Sequence, residues 1–201
     1  MSYEFTNDWF GTTARFLWDQ LIPQINPTRI LEVGSYEGRS TCFLIEKLGN
    51  KHLELFIRCV DTWEGGAEHQ GTDMSLVEQR FFGNIGIAER SVAAQINIQV
   101  SKGRSDIELA KLLPTHIGYY DFVYIDGSHH ASDVLCDALL AFRMLRVGGV
   151  MCFDDYMWQN ARVVDPLRCP KLAIDTFTLL HARDMRVLPT IPTQIFLEKL
   201  A

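Results

Sequence analysis

The chain of 201 residues has no run of basic residues, and its 19 Lys and Arg are outnumbered by 25 Asp and Glu, for a formal net charge of −6. A surface that grips a phosphate backbone carries a basic stripe, so nucleic acid is not expected as a partner. No apolar run approaches the roughly 20 residues that cross a bilayer. The opening residues set Glu4, Asp8 and Arg15 among aromatics and lack the basic-then-apolar layout of a secretion signal. A cytoplasmic protein without a membrane partner is expected. The five cysteines (Cys42, Cys59, Cys136, Cys152 and Cys169) include no C-x-x-C pair, and most sit inside apolar runs. That pattern favours buried thiols in a reducing compartment over disulfides or zinc. Repeats, linkers and low-complexity tracts are also missing, so one domain over residues 1–201 is expected, with residues 1–23 as an N-terminal helix.

What is there is an ordinary globular composition, 47% hydrophobic and 22% charged. Phe10, Ala14, Leu17 and Leu21 recur at helical spacing, and Pro23 is expected to end that helix. Thr28 to Gly34 reads as a short buried strand, Ser40 to Leu48 as a helix, and Leu53 to Val60 as a strand covered on both faces. After a glycine-bearing loop from Thr62 to His69, Leu76 to Ile85 reads as helix and Ile96 to Val100 as strand. Ile107 to Leu113 is a short helix expected to stop at Pro114. Tyr120 to Ile125 is strand. Ser132 or Asp133 is expected to cap the next helix, and Gly148-Gly149 to close it. Val150 to Phe153 is strand, Asp165 to Ala182 mostly helix, and Arg186 to Pro189 and Gln194 to Glu198 a final strand pair. Strands alternating with helices predict an α/β fold: a mostly parallel sheet, helices on both faces, and an antiparallel last strand.

Ligands of open α/β sheets bind at the carboxyl ends of the strands. The first strand delivers Glu32-Val33-Gly34-Ser35-Tyr36-Glu37-Gly38-Arg39-Ser40 there. Gly34 and Gly38 allow a tight turn and close approach of a ligand. Their G-x-x-x-G spacing differs from the G-x-G-x-x-G of pyrophosphate binders, which fits a cofactor without phosphates. Taken alone, it is equally a plain strand–helix turn. Asp61, ending the second strand, can accept ribose hydroxyls.

These residues resemble motif I of class I S-adenosylmethionine (SAM) dependent methyltransferases, in the version of catechol O-methyltransferase-like enzymes. The whole chain is similar to the small bacterial "methyltransferase 24" group. The resemblance implies a Rossmann-like seven-stranded sheet, with Tyr36 and Ser40 touching the cofactor and Gly103-Arg104-Ser105 flanking the adenine. The expected cofactor set is Glu32, Gly34, Ser35, Tyr36, Gly38, Ser40, Asp61, Thr62, Trp63, Gly103, Ser105 and Asp126.

Methyl transfer to oxygen needs a base, a metal that lowers the hydroxyl pKa, or both. Asp126 ends the fourth strand and Asp154-Asp155 the fifth, so three carboxylates converge on one rim. Such hard oxygen donors suit Mg²⁺, with Mn²⁺ or Ca²⁺ as substitutes; a turn-capping role for Asp154 or Asp155 stays open. Metal-dependent sugar O-methyltransferases of the resembling group use an acidic pair after strand five, whereas catechol O-methyltransferase has Asp-Asn. In those sugar enzymes a His three residues after the metal Asp is the base. This points to His129, with His130 the alternative and Asp126 its companion in the catalytic site.

Trp63 and Trp158 are placed to enclose the sulfonium or the acceptor through cation–π contacts. Trp9 and Phe10 fall on the N-terminal helix, often a lid in such enzymes. His69 reads as a solvated loop histidine, with lining of the substrate mouth as the alternative, and Glu37 and Arg39 as a solvated helix start. The expected activity is divalent-metal-dependent O-methylation of a small hydroxylated molecule, a sugar or natural product. The alternatives are a SAM-binding regulator without catalysis and a metal-dependent hydroxylase-like enzyme. Adjacent His129 and His130 suit the second poorly, because neighbours cannot easily share one iron. The tetrapeptide Asp154-Asp155-Tyr156-Met157 lacks the N/D-P-P-Y/F pattern of base N-methylation. The sequence leaves homo-oligomerisation open.

Overall fold

In the computed structural model, which describes residues 2–66, 69–158 and 165–201, β-branched and aromatic runs form seven strands that alternate with helices through most of the chain. In chain order the elements are α1 (Trp9–Thr13), α2 (Arg15–Ile25), β1 (Arg29–Val33), α3 (Arg39–Leu48) and β2 (Glu54–Asp61). Next come α4 (Met74–Arg90), β3 (Gln95–Lys102), α5 (Ser105–His116), β4 (Tyr120–Ile125), α6 (Ala131–Met144) and β5 (Leu145–Phe153). A short 3₁₀ turn (Pro166–Arg168), α7 (Pro170–Leu180), β6 (Met185–Val187) and β7 (Ile195–Lys199) complete the order. The seven strands lie in one sheet in the order β3-β2-β1-β4-β5-β7-β6. All are parallel except β7, which runs antiparallel to both β5 and β6. The strand order reverses between β1 and β4, where the carboxyl ends open a crevice.

Successive strand residues face opposite sides of the sheet, and that pleat splits the core in two. Ile30, Ile57, Phe122 and Cys152 pack with Trp18, Leu44 and Phe81 on one face. Leu31, Val123, Met151 and Leu197 pack with Leu109, Ala138 and Phe177 on the other. All five cysteines are free thiols, and four are buried. None of the described helices is long and apolar enough to cross a membrane.

Four boundaries differ from expectation for local reasons. Pro23 lies inside α2 and Pro114 inside α5, each within three residues of the helix end. A proline there removes one late backbone bond, and the last turn survives it. In α2 the stop is instead Asn26, left-handed at φ 50°, whose N–H donates to the Ile22 carbonyl. The α6 cap position is His130, ahead of Ser132 and Asp133. Gly148 and Gly149 belong to β5, which begins directly at Leu145; Gly148 has φ 74°, and the β4–β5 register slips between Tyr120 and Phe122. Glycine inside a strand marks an irregularity of this kind.

One buried polar chain spans the core. The Trp18 Nε1–H donates to Gln194 Oε1 at 2.8 Å, and the Gln194 Nε2–H donates to Asp154 Oδ2 at 2.8 Å. Trp18 and Gln194 are both fully buried. Trp18→Phe would leave the Gln194 oxygen without a donor, at a cost of about 1–3 kcal/mol before any packing loss. Urea unfolding should show that drop in stability with an unchanged m-value; a wild-type midpoint would mean that the bond contributes nothing.

Candidate functional site

The end of β1 is built around a buried acid. Glu32 is fully enclosed, and its carboxylate accepts the hydroxyls of Ser35 at 2.7 Å, Ser40 at 2.5 Å and Thr41. Burial pushes the Glu32 carboxyl up, and those hydroxyls pull it back. Glu32 and Ser40 were both expected to touch the cofactor. In the structure they are bonded to each other and brace the loop, and Thr41, which the sequence reading did not single out, joins them.

Above them, Asp61 at the end of β2 clamps the loop backbone. Its Oδ2 accepts the N–H groups of Ser35 at 2.7 Å and Tyr36 at 2.9 Å, and its Oδ1 accepts that of Trp63 at 2.7 Å. A carboxylate has about four acceptor directions, so one remains for a hydroxyl, where the sequence led to an expectation of two. Trp63 is only 4% exposed, packs on Phe81 with ring centroids 5.1 Å apart, and donates its indole N–H to the Tyr36 carbonyl. It buttresses the loop from within, at the position where the sequence reading set it around the sulfonium. Thr62, half-buried, accepts the Glu64 N–H through its hydroxyl.

Tyr36 is the loop's exposed-side ring. It adopts φ 47°, a left-handed conformation that costs a non-glycine residue roughly 1–3 kcal/mol unless its surroundings impose it. Here the Asp61 and Trp63 bonds do so, and His69 stacks on the ring at 5.0 Å with Trp9 at 5.4 Å. Gly103 sits beside Asp61, donating its N–H to the Asp61 carbonyl at 2.9 Å, and Ser105 begins α5 two residues later. The structure therefore brings Gly34, Ser35, Tyr36, Gly38, Asp61, Gly103 and Ser105 around the ends of β1 to β3.

Asp126 joins this rim to the next. Its N–H donates to the Val33 carbonyl at 2.8 Å, and its own carbonyl oxygen would lie 2.0 Å from a Cβ placed on Gly34. Asp126, His129, Asp154 and Asp155 line one pocket with Gly127 and Ser128. The Tyr124 hydroxyl lies between two of the acids, 2.9 Å from Asp126 Oδ2 and in contact with Asp154 Oδ2. Burial first, and then the charge of neighbouring carboxylates, pushes Asp126 well above the ordinary range and Asp154 above it. Tyr124 and Gln194 were not found from the sequence: one reads as a strand aromatic, and the other is 40 residues from Asp154.

Geometry separates the two histidines. His129 Nε2 is 2.9 Å from Asp155 Oδ2, and its ring lies 4.0 Å from that of Trp158. Asp155 holds that position in a left-handed conformation, φ 57°. His130 is exposed at the start of α6. Its turn is held by its own N–H on the Ser128 hydroxyl.

Three carboxylates around one pocket fit a hard divalent cation in kind. In arrangement they are directed elsewhere: Asp154 towards Tyr124 and Gln194, Asp155 towards His129. Among the described residues no group of three His, Cys, Asp or Glu side chains is assembled to hold a metal ion.

A family model described as a methyltransferase domain matches residues 31–156, from β1 through the turn after β5. The chain is 22% identical over 187 residues to a Dictyostelium discoideum protein described as probable caffeoyl-CoA O-methyltransferase 3. That match covers 85% of this chain and 66% of the relative, so the chain spans just under two thirds of the relative's length. Among solved structures, the O-methyltransferase TomG from Streptomyces achromogenes, involved in tomaymycin synthesis and bound to SAM, superposes with a TM-score of 0.65 at 18% identity. The alignment covers 92% of this chain and 78% of TomG. An O-methyltransferase from Bacillus cereus in complex with SAH gives 0.62 at 18% identity, over 99% of this chain and 84% of that one. At such identities the likeness is one of fold: the seven-stranded methyltransferase sheet.

Proposed function

The chain belongs to the methyltransferase-domain family, and from that premise we propose that it transfers a methyl group from S-adenosylmethionine to a hydroxyl oxygen of a small molecule. The observation that carries this reading is the His129–Asp155 pair at the mouth of β4 and β5, joined to the glycine loop through the Gly34–Asp126 contact. In the proposed step the acceptor oxygen attacks the methyl carbon in line. The carbon–sulfur bond breaks, the electron pair stays on sulfur, and S-adenosylhomocysteine leaves. The hydroxyl proton passes to His129. Asp155, 2.9 Å from Nε2, stabilises the imidazolium that forms. The loop residues Gly34, Tyr36 and Asp61 would hold S-adenosylmethionine, which would supply the methyl group to an acceptor oxygen held beside His129 and make the reaction effectively intramolecular.

Asp126, Asp154 and Asp155 are the residues that would hold Mg²⁺, or Mn²⁺ or Ca²⁺ in its place. Such an ion would acidify the acceptor hydroxyl and orient it. The number and kind of carboxylates support that ion, although Asp154 and Asp155 would have to turn from Tyr124, Gln194 and His129 to reach it; a sugar or natural product is the proposed acceptor class. An iron-dependent hydroxylase gains no support, since His129 is turned to Asp155 and His130 is exposed.

A screen of hydroxylated metabolites with methyl-labelled SAM, run with Mg²⁺ and with EDTA, tests both levels. Label should appear on an acceptor oxygen, and EDTA should cut turnover at least about tenfold with recovery on added Mg²⁺. Turnover that survives EDTA would remove the ion and leave His129 and Asp155 as the machinery. A chain that binds no SAM at roughly millimolar concentration would sink the reading.

A further inference from the structure

Glu37 and Arg39 read from the sequence as a solvated helix start, and the structure places them otherwise. The Glu37 side chain is 2% exposed, and Arg39 is half-buried. We propose that Glu37 is a positioning residue for the cofactor loop, tying it to the N-terminal segment so that cofactor affinity depends on residues 3–9. The inference rests on the SAM-binding reading.

Every Glu37 contact crosses to another part of the chain. Oε2 accepts the Thr6 N–H at 2.7 Å; Oε1 accepts the Thr6 hydroxyl at 2.8 Å and Arg80 Nη1 at 3.2 Å. Its backbone carbonyl accepts Asn84 Nδ2 at 3.0 Å. The same Asn84 side chain pairs with the backbone of Glu4, receiving its N–H at 2.8 Å and donating to its carbonyl at 3.1 Å. Arg39 repeats the pattern two residues on: it pairs with Asp8, and its guanidinium lies 4.5 Å from the centre of the Phe5 ring. The segment then ends in Trp9, whose ring lies against Tyr36.

Two features argue for more than a surface tether. A carboxylate buried to this degree is costly to desolvate unless well paired, and two of its three hydrogen bonds come from Thr6. Glu37 also sits between Tyr36 at φ 47° and Gly38 at φ 79°. A turn with left-handed residues on both sides holds its shape only when its surroundings over-determine it. Asp61 and Trp63 fix the Tyr36 side of that turn; Glu37, through Thr6, Arg80 and Asn84, fixes the other. Coupling between segment and loop must be reciprocal, so a cofactor that favours the closed loop also favours the docked segment.

The test uses the full chain, with Glu37→Gln on the loop and Thr6→Pro on the segment, which lacks both donors to Glu37. Each should weaken S-adenosylhomocysteine binding about tenfold by calorimetry, the loss expected when a hydrogen bond to a charge is broken. In the parent chain, saturating S-adenosylhomocysteine should slow chymotryptic cleavage at Trp9, and in both variants that protection should vanish. A merely structural tether would leave cleavage indifferent to the ligand. Thr6→Pro keeps the test decisive should Glu37→Gln fold poorly. Parent-like affinity in Thr6→Pro, or cleavage unaffected by ligand in the parent chain, overturns the proposal. A parent chain that binds no S-adenosylhomocysteine fails earlier, at the cofactor reading itself.

Discussion

His129→Ala is expected to lower kcat by about 10²–10⁴-fold, the range for loss of a general base, while S-adenosylhomocysteine affinity stays within about twofold of the parent. The two halves of that result come from geometry. His129 pairs with Asp155 and packs on Trp158, both after β5, whereas the glycine loop follows β1. Its removal should therefore act on the transition state and spare the ground-state cofactor complex. His130→Ala is the internal control. That side chain is exposed, and the turn it sits in is held by a backbone bond to Ser128 that alanine preserves, so full activity is expected. Asp155→Asn should fall between the two, since it keeps a hydrogen-bonding side chain beside the imidazole but loses the charge that stabilises its protonated form. Full turnover in His129→Ala would reject the base assignment.

The contrast between these two histidines shows where sequence reasoning reached and where it stopped. Strand ends were legible because apolar runs are strong signals and the residue that closes each run falls on the rim of the sheet; Asp61, Asp126 and Asp154 were all found that way. What a side chain does at that rim was less legible. Glu32 and Trp63 look like ligand contacts in one dimension, yet both point inward. Glu32 turns to three hydroxyls within nine residues of it, and Trp63 to the Tyr36 carbonyl. The direction follows from the pleat and from a left-handed φ at Tyr36, and no pattern of residue types reports either. Long-range pairs were invisible for a simpler reason. Trp18 meets Gln194 across 176 residues and Thr6 meets Glu37 across 31, and propensity and periodicity operate over a single element. Helix limits failed where Pro23 and Pro114 were read as stops, although near a helix end each deletes a single bond.

The glycine loop supplies the other large effect. Gly34→Ala is expected to destabilise the chain by about 2–5 kcal/mol and to abolish S-adenosylhomocysteine binding at concentrations that saturate the parent. Two independent costs combine. At φ 84° an alanine enters the left-handed region, worth about 1–2 kcal/mol. Its Cβ would also lie 2.0 Å from the Asp126 carbonyl oxygen and 2.8 Å from the Gly127 Cα. Neither atom belongs to a side chain that could rotate aside. Asp126 is pinned by its N–H on the Val33 carbonyl and Gly34 by its N–H on the Val60 carbonyl. The methyl group must therefore push the ends of β1 and β4 apart, at the crevice where the strand order reverses. Gly118→Ala separates the two costs, because Gly118 has φ 60° but nothing within 4 Å of its Cβ position. It should lose only the conformational part, about 1–2 kcal/mol, and bind normally. If urea unfolding gave the same loss for both variants and Gly34→Ala still bound S-adenosylhomocysteine, the β1–β4 contact would not be what shapes the cofactor site.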